Sequence, residues 1–517
     1  MAHKKITGVS ISTFNFTNNI KSFLISMDLI PMLKPMQNLN PSLFLSFILF
    51  ILFASPIMAQ EKFRTVILTD MTHDDGNSLI RYLYYGHLFD TEAIIVTQQL
   101  PDYNYNHKEP WQKVQSILSA YKQEYAQISQ HQMGFPSYED LNAVTKAGRG
   151  ALPIIWLTNE KKFAKEIAGR YVESEWGEIR FSDWIGEGKN PNGESKDSEG
   201  SDFLVSIFEK DDSRPIFIQA WGGPITLIQA LHRFREKHGE KELQKLMQKL
   251  HVYGIHLQDI TFDFIIDLDK IQESECLNVG TVTSSYKGER YSPGWMLYDG
   301  GLFWKYITVM KQEEVNGHGP MSDLYDHGGE GDTPAFLYLI SAAMGLNDPL
   351  SPFHGSWGSR FEGMGEEFPK NYFHTCGLDP EEALARWIPA AKNSFLNRLQ
   401  YSQSPPSSVN HEPIAFLNKD KSSKVLELKG KPGSIVNLDA SASRDPDDDT
   451  LRFNWFIYKE AGTYGGEVPL QMEASGERQG IRVPKDLGNK DIHVILEVTD
   501  NGTPNLTSYR RVILSAE

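Results

Sequence analysis

A run of β-branched and aliphatic residues, Arg64-Thr-Val-Ile-Leu-Thr69, leads directly into Asp70-Met-Thr-His-Asp74-Asp75-Gly76. Such a run suits a buried strand. Asn77 to Phe89 follows with Leu79, Leu83 and Leu88 at helical spacing, and Thr91 to Thr97 reads as a second strand. Strand, helix, strand is the signature of a parallel α/β sheet, whose ligands bind outside the carboxyl ends of the strands. Asp70, Asp74 and Asp75 therefore fall where such a sheet keeps its site. Three acids this close repel one another unless protons or a cation compensate. A hard ion such as Ca²⁺ prefers carboxylate and carbonyl oxygens. Helix capping accounts for Asp74 and Asp75, but it leaves Asp70 unexplained.

The pattern recurs. Phe203 to Phe208 reads as a helix and Pro215 to Ala220 as a buried strand. The turn Trp221-Gly222-Gly223 and a helix from Pro224 to His232 come next, and His251 to His256 and Leu277 to Thr283 are further strands. A glycine turn at a strand end lets backbone approach a ligand, or simply makes a tight turn. Glu330-Gly331-Asp332-Thr333-Pro334 opens an apolar helix, Ala335 to Met344. Thr333 as N-cap with Pro334 at the first helical position is ordinary capping chemistry, which leaves Asp332 as a spare acid. Gly186 to Ser201 is polar and glycine-rich, a solvated loop or a lid over the site.

The ends of the chain differ in texture. Phe44 to Phe53 is an apolar run too short to span a bilayer comfortably, and small Ala59 follows at a cleavage position. Residues 1–59 therefore read as a signal peptide with an upstream extension, a membrane anchor being the alternative, and the protein as exported, periplasmic or extracellular. Residues 402–410 read as a Pro/Ser linker between an α/β domain, 60–401, and a tail, 411–517, of five short alternating strands: a β-sandwich. The formal net charge of −16 over 517 residues, with no basic stripe, argues against nucleic acid. It is compatible with a metal ion or with neutral carbohydrate. Nothing local forces Cys276 and Cys376 to pair.

Asp70-x-x-x-Asp74-Asp75, Gly223-Pro-Ile-Thr226 and Asp332 occur in the order seen in nucleoside hydrolases. Over residues 62 to 515 the chain resembles, more closely, a bacterial cellulose-binding family with a nucleoside hydrolase-like domain and a C-terminal Ig-like domain. Asp75-Gly-Asn-Ser-Leu79, Asp197-Ser-Glu-Gly-Ser201, Ala220-Trp-Gly-Gly-Pro224, Gly331-Asp-Thr-Pro-Ala-Phe336 and Trp357-Gly-Ser-Arg360 support this. The resemblance implies a nucleoside hydrolase-like α/β fold, a mostly parallel sheet flanked by helices, followed by an Ig-like β-sandwich. It implies Ca²⁺ bound by Asp70, Asp75, the Thr226 carbonyl and Asp332. Asp70 would also take the proton from the attacking water, and Asp74 would contact a sugar hydroxyl. Gly331 stands where nucleoside hydrolases carry the His that assists the leaving base. His327 or Glu330 could replace that acid.

Gln258 and Asp259 could face the crevice or belong to a polar loop. Trp221 and Trp357 could be sugar-stacking platforms or core, and Arg360 could hold a hydroxyl or carboxylate or lie on the surface. The expected function is an exported carbohydrate-active hydrolase cleaving a glycosidic, including N-glycosyl, bond with Ca²⁺-activated water. Its alternative is a non-catalytic polysaccharide-binding protein that retains the fold. Mass spectrometry of the secreted protein is expected to find an N-terminus close to Gln60. Retention of residues before Leu43 would overturn the cleavage.

Overall fold

A computed structural model of the chain describes residues 61–97, 110–149, 185–190, 193–255, 294–298, 310–327, 329–363, 371–374, 384–472 and 476–517. The apolar run at 44–53, Gln258, Asp259, the strand expected at 277–283 and both cysteines lie outside these residues. No described helix is long and apolar enough to cross a membrane.

Eight strands make the main sheet: β1 (Phe63–Thr69), β2 (Phe89–Val96), β3 (Thr145–Ala147), β4 (Ile216–Ala220), β5 (Leu250–Ile255), β6 (Gly294–Tyr298), β7 (Phe361–Gly363) and β8 (Asn371–His374). Their order is β3-β2-β1-β4-β5-β6-β8-β7. Every pairing is parallel except β7 with β8. The described helices are α1 (His73–Tyr84), α2 (Pro110–Ile128), α3 (Tyr138–Val144), α4 (Glu199–Phe208), α5 (Ile225–His238), α6 (Glu240–Met247), α7 (Gln312–Val315), α8 (Pro334–Ala343) and α9 (Ile388–Leu399).

Strand residues alternate between two cores, as the period of two requires. Ile67, Ile94, Phe217 and Tyr253 pack with α1, α2, α8 and α9. Val66, Leu68, Ile95, Ile218 and Val252 pack with α4, α5 and α6 on the other face. Burial on both faces explains why β1 and β4 are continuous apolar runs. The chain winds outward from β1 to β3, then returns to the far side of β1 with β4. The crevice between the carboxyl ends of β1 and β4 is thus the topological switch point, where sheets of this kind bind ligands.

Some boundaries differ from the sequence expectations. The first helix begins at His73 rather than Asn77, so Asp74 and Asp75 lie inside its first turn, and β2 takes over Phe89. α4 begins at Glu199 rather than Phe203, because Ser198 and Ser201 form a capping box that turns the end of the polar stretch into helix.

The tail is a two-sheet sandwich. One sheet holds β10 (Ile435–Asp439), β13 (Arg478–Arg482) and β12 (Leu470–Met472); the other holds β11 (Arg452–Ile457), β14 (Asp491–Thr499), β15 (Thr507–Ala516) and β9 (Leu426–Gly430). Leu438, Trp455, Ile481, Val494, Leu496 and Val512 fill the space between them. A second apolar group, Tyr458, Ile495 and Tyr509, belongs instead to the core of the α/β domain. The Trp387 ring lies 5.8 Å from both Tyr458 and Tyr509. Fully buried Arg511 donates to the carbonyls of Leu346 (2.6 Å) and Gly355 (3.2 Å) in the α/β domain. Burial lowers its pKa to about 10.

Because the two domains share this core, Trp387→Ala is expected to destabilise the protein by about 3–5 kcal/mol. Wild type and variant should each unfold in urea in one transition seen alike by far-UV circular dichroism and tryptophan fluorescence. Two separated transitions in the wild type would refute the shared core.

Candidate metal centre

Asp70 is the residue directly after β1, and Met71 beyond it takes a left-handed conformation (φ 55°). That conformation is costly for a non-glycine residue and is tolerated where surroundings impose it. It turns the chain sharply from strand into α1. Gly222, at the end of β4, supplies the other wall: a Cβ there would sit 3.2 Å from the Asp70 backbone nitrogen. The glycine turn is therefore a close approach of the ends of β1 and β4, where the sequence suggested an approach to a ligand or a simple tight turn.

The first turn of α1 carries Asp74 and Asp75. Thr72, the residue before the helix, makes no capping hydrogen bond with its side chain. Its hydroxyl lies 2.8 Å from Asp74 Oδ1 and 2.6 Å from Asp75 Oδ2, and the Thr69 hydroxyl donates to Asp75 Oδ1. Asp332 arrives from the loop before α8, its N–H donating to Ser78 Oγ at 3.2 Å. Thr333 also turns to Ser78, donating at 3.0 Å instead of capping α8. Ser78 thus ties the two acidic segments, 254 residues apart, to one helix.

Asp74, Asp75 and Asp332 each offer a carboxylate oxygen within 4.8 Å of the others. Asp75 and Asp332 are 1% exposed and Asp70 is 4% exposed. Burial, then Asp75 and Asp74, push the Asp70 pKa well above the carboxylate range. Burial, then Asp75, Asp74 and Asp70, do the same to Asp332. Asp74 rises to about 6, through burial and then Asp75. Asp332 Oδ2 is buried with no hydrogen-bond partner among the described residues. An orphaned buried carboxylate oxygen beside two further carboxylates fits a hard divalent cation, which would neutralise the charge and accept that lone pair.

Of the four ligands expected from the sequence, Asp75 and Asp332 enter this group, Asp74 joins it, and Asp70 flanks it. Thr226 is buried in the first turn of α5, where its hydroxyl accepts from the Arg149 N–H at 3.0 Å. Its carbonyl enters the helix ladder, with a second lone pair to spare.

The other expected site residues are placed differently. Glu330 is 2% exposed and pairs with buried Arg81 at 2.5 Å, so a substrate-facing acid becomes a structural ion pair. His327 is exposed on the loop before it. Gly331 is sterically fixed, since a Cβ there would overlap the Asp74 carboxylate. Trp221 and Trp357 are fully buried, which removes them as sugar platforms. Trp221 packs among Tyr82 and Phe336, and Trp357 Nε1 donates to Tyr509 Oη at 3.3 Å in the interdomain core. Arg360 is also buried, not a surface hydroxyl clamp.

Sequence reasoning missed Lys113. From the first turn of α2 its Nζ donates to the Thr72 carbonyl at 2.5 Å and packs on Gly76. Burial lowers its pKa, while Asp326, Asp75, Asp74 and Asp70 raise it. No local pattern marks it, because α2 meets the acidic turn only through the tertiary fold.

The raised carboxyl pKa values fix the sign of a pH effect. A native state that holds protons more tightly than the unfolded chain loses stability as pH rises through that range. His87, His131, His232, His354 and His493, whose pKa values are all lowered chiefly by desolvation, oppose this trend in the whole protein. The difference between wild type and Asp332→Asn cancels them. In chelator at pH 7.5 the variant is expected to melt a few degrees higher, about 1 kcal/mol or more, and the gap should shrink toward pH 5. With excess Ca²⁺ the order should reverse. A variant less stable than wild type in chelator at pH 7.5 would overturn this account.

Residues 64–361 match the model of the cellulose-binding Sde182, nucleoside hydrolase-like domain. Residues 435–516 match that of the C-terminal domain of cellulose-binding protein Sde0182. Among solved structures, a nucleoside hydrolase-related hypothetical protein from Saccharophagus degradans, described as associated with carbohydrate metabolism, is 29% identical over 88% of this chain and 100% of its own, with a TM-score of 0.66. An endo-fucoidan hydrolase of glycoside hydrolase family 107 aligns over 21% of this chain and 14% of its own, at 14% identity and a TM-score of 0.15. That likeness is too low to bear on fold or function. No curated protein matches. With more than half its length in the first model and the matching tail behind it, the chain belongs to the family of cellulose-binding proteins with a nucleoside hydrolase-like domain.

Proposed function

We propose that the protein is an exported, Ca²⁺-dependent, carbohydrate-active protein that cleaves a glycosyl bond at the end of β1. The observation that carries this reading is the orphaned Asp332 Oδ2 beside Asp74 and Asp75, at the switch point of a nucleoside hydrolase-like sheet. Asp75 and Asp332, with Asp74 or Asp70, would hold the cation, and Thr226 could add its carbonyl. Bound there, the cation would orient sugar hydroxyls and make a water easier to deprotonate. Asp70, the residue after β1, would accept a proton from a water that adds to the anomeric carbon as the glycosyl bond to the aglycone breaks, the departing group taking its proton from solvent. The Thr69 and Thr72 hydroxyls hold Asp75 in place, and Thr72 also steadies Asp74. Lys113 adds a positive charge beside the acids.

A second reading, a polysaccharide-binding protein without turnover, draws on a different observation. Arg81 engages Glu330 and Asp74 fills the space beside Gly331, so neither position offers an acid to the leaving group. The family description, cellulose-binding, suits both readings. A screen of oligosaccharides and nucleosides, with Ca²⁺ and with chelator, separates them. On the hydrolase reading, one substrate is turned over only with Ca²⁺. Asp70→Asn should then lower kcat by at least about 10³-fold while sugar affinity changes little. Calcium-dependent sugar binding with no turnover of any glycoside would establish the second reading.

A further inference from the structure

Four carboxylates carry formally twice the charge of one divalent cation, and a cation of the chain's own stands beside them. Lys113 lies in the first turn of α2, where the positive end of the helix dipole disfavours an ammonium. Its stem crosses α1 at Gly76, the residue after Asp75. A Cβ on Gly76 would overlap both Cε and Nζ of Lys113. Glycine within a helix is itself less favourable than alanine. Two locally unfavourable residues on two helices thus permit one contact, and the reason for that contact lies at the acids.

The hydrogen bond of the ammonium goes to the backbone beside the acids rather than to a carboxylate. Nζ donates to the Thr72 carbonyl at 2.5 Å. The hydroxyl of the same threonine bridges Asp74 Oδ1 and Asp75 Oδ2. Burial disfavours the charge of Lys113, while Asp326, Asp75, Asp74 and Asp70 favour it. Lys113 therefore supplies positive charge to the crevice and leaves the unpartnered Asp332 Oδ2 to another ligand.

A fixed charge in this position acts differently on two states of the site. In the metal-free state it attracts the carboxylates. With a divalent cation bound, the same carboxylates are largely neutralised and the two positive charges repel. Lys113 thus favours the metal-free state over the bound one, and the coupling is reciprocal.

We propose that Lys113 is a built-in counter-cation of the acidic crevice, a positioning residue that steadies the metal-free turn and thereby weakens the hold of the site on its divalent cation. The inference rests on the metal reading of the crevice and adds what sets the strength of that site.

The test is calorimetry with CaCl₂ at pH 7.5, together with thermal unfolding in chelator and in saturating Ca²⁺, using the full chain. The proteins compared are wild type, Lys113→Met, Gly76→Ala and, as the crevice control, Asp75→Asn. Lys113→Met keeps the stem and removes the charge. Gly76→Ala leaves the lysine in place and displaces its ammonium. Lys113→Met is expected to bind Ca²⁺ at least about fivefold more tightly than wild type. It should also melt lower in chelator and gain more in melting temperature from Ca²⁺ than wild type does. Gly76→Ala should likewise bind more tightly, and it carries the comparison alone if Lys113→Met does not fold. A residue that merely anchors Thr72 would give the opposite sign, with weaker binding in both variants. Unchanged or weaker binding in these variants, with Ca²⁺ affinity lost in Asp75→Asn, would refute the counter-cation and leave the metal reading standing. A wild type that binds no Ca²⁺ would overturn both.

Discussion

Four carboxylates meet at the end of one strand, and much of this structure can be understood as what is needed to keep them there. Asp70, Asp75 and Asp332 are almost wholly removed from water, and Asp74 closes the group. Their mutual repulsion, strengthened by burial, would drive the loops apart if the loops were free. They are not free. Asp70 is fixed by β1, which is paired on both sides by β2 and β4. Asp74 and Asp75 are fixed by α1, and Asp332 is held through Ser78 of the same helix. The stability of the sheet opposes the strain of the site, a usual arrangement where function requires charge to be concentrated.

The same crowding bears on the residues around the acids. Asp74 sits so close to the loop before α8 that only glycine fits at 331. Once that position carries no side chain, the neighbouring Glu330 turns inward to Arg81, whose second branch donates to the Ala391 carbonyl at 2.6 Å. Glu330, expected from the sequence as a replacement acid, is thus held in a buried ion pair joining α1, the 330 loop and α9. Such a pair adds little net stability against an apolar alternative, but breaking it would leave a charge stranded in the core.

The sandwich is tied to the α/β domain by more than its connecting chain. Tyr458, Ile495 and Tyr509 finish the core that α8 and α9 begin, and Arg511 bonds to carbonyls left over from the turns at Leu346 and Gly355. The segment between the domains looked like a flexible linker by composition. It folds as two short 3₁₀ turns, Gln400–Ser402 and Pro406–Ser408, with Tyr401 and Val409 buried.

The sequence alone determined what depends on neighbours along the chain. The apolar run into Asp70 made a buried strand with an acid at its end, because both-face burial demands unbroken apolar residues. Asp74 and Asp75 were visible at a helix start, Gly222 as part of a tight turn after a strand, and the tail as a sandwich through its alternating strands. Asp332 stood out locally only as a spare acid beside a helix start, and the family resemblance gave it a ligand's role. What only the tertiary structure decided concerns pairs distant in sequence. It sent Trp221 and Trp357 into cores rather than to a sugar, since a large aromatic buries wherever neighbouring elements close over it. It set Glu330 against Arg81, 249 residues away, and brought Lys113 to the acidic turn. A side chain's chemistry is written in its own residue, but its burial and its partner are fixed by packing, which one stretch of sequence does not contain.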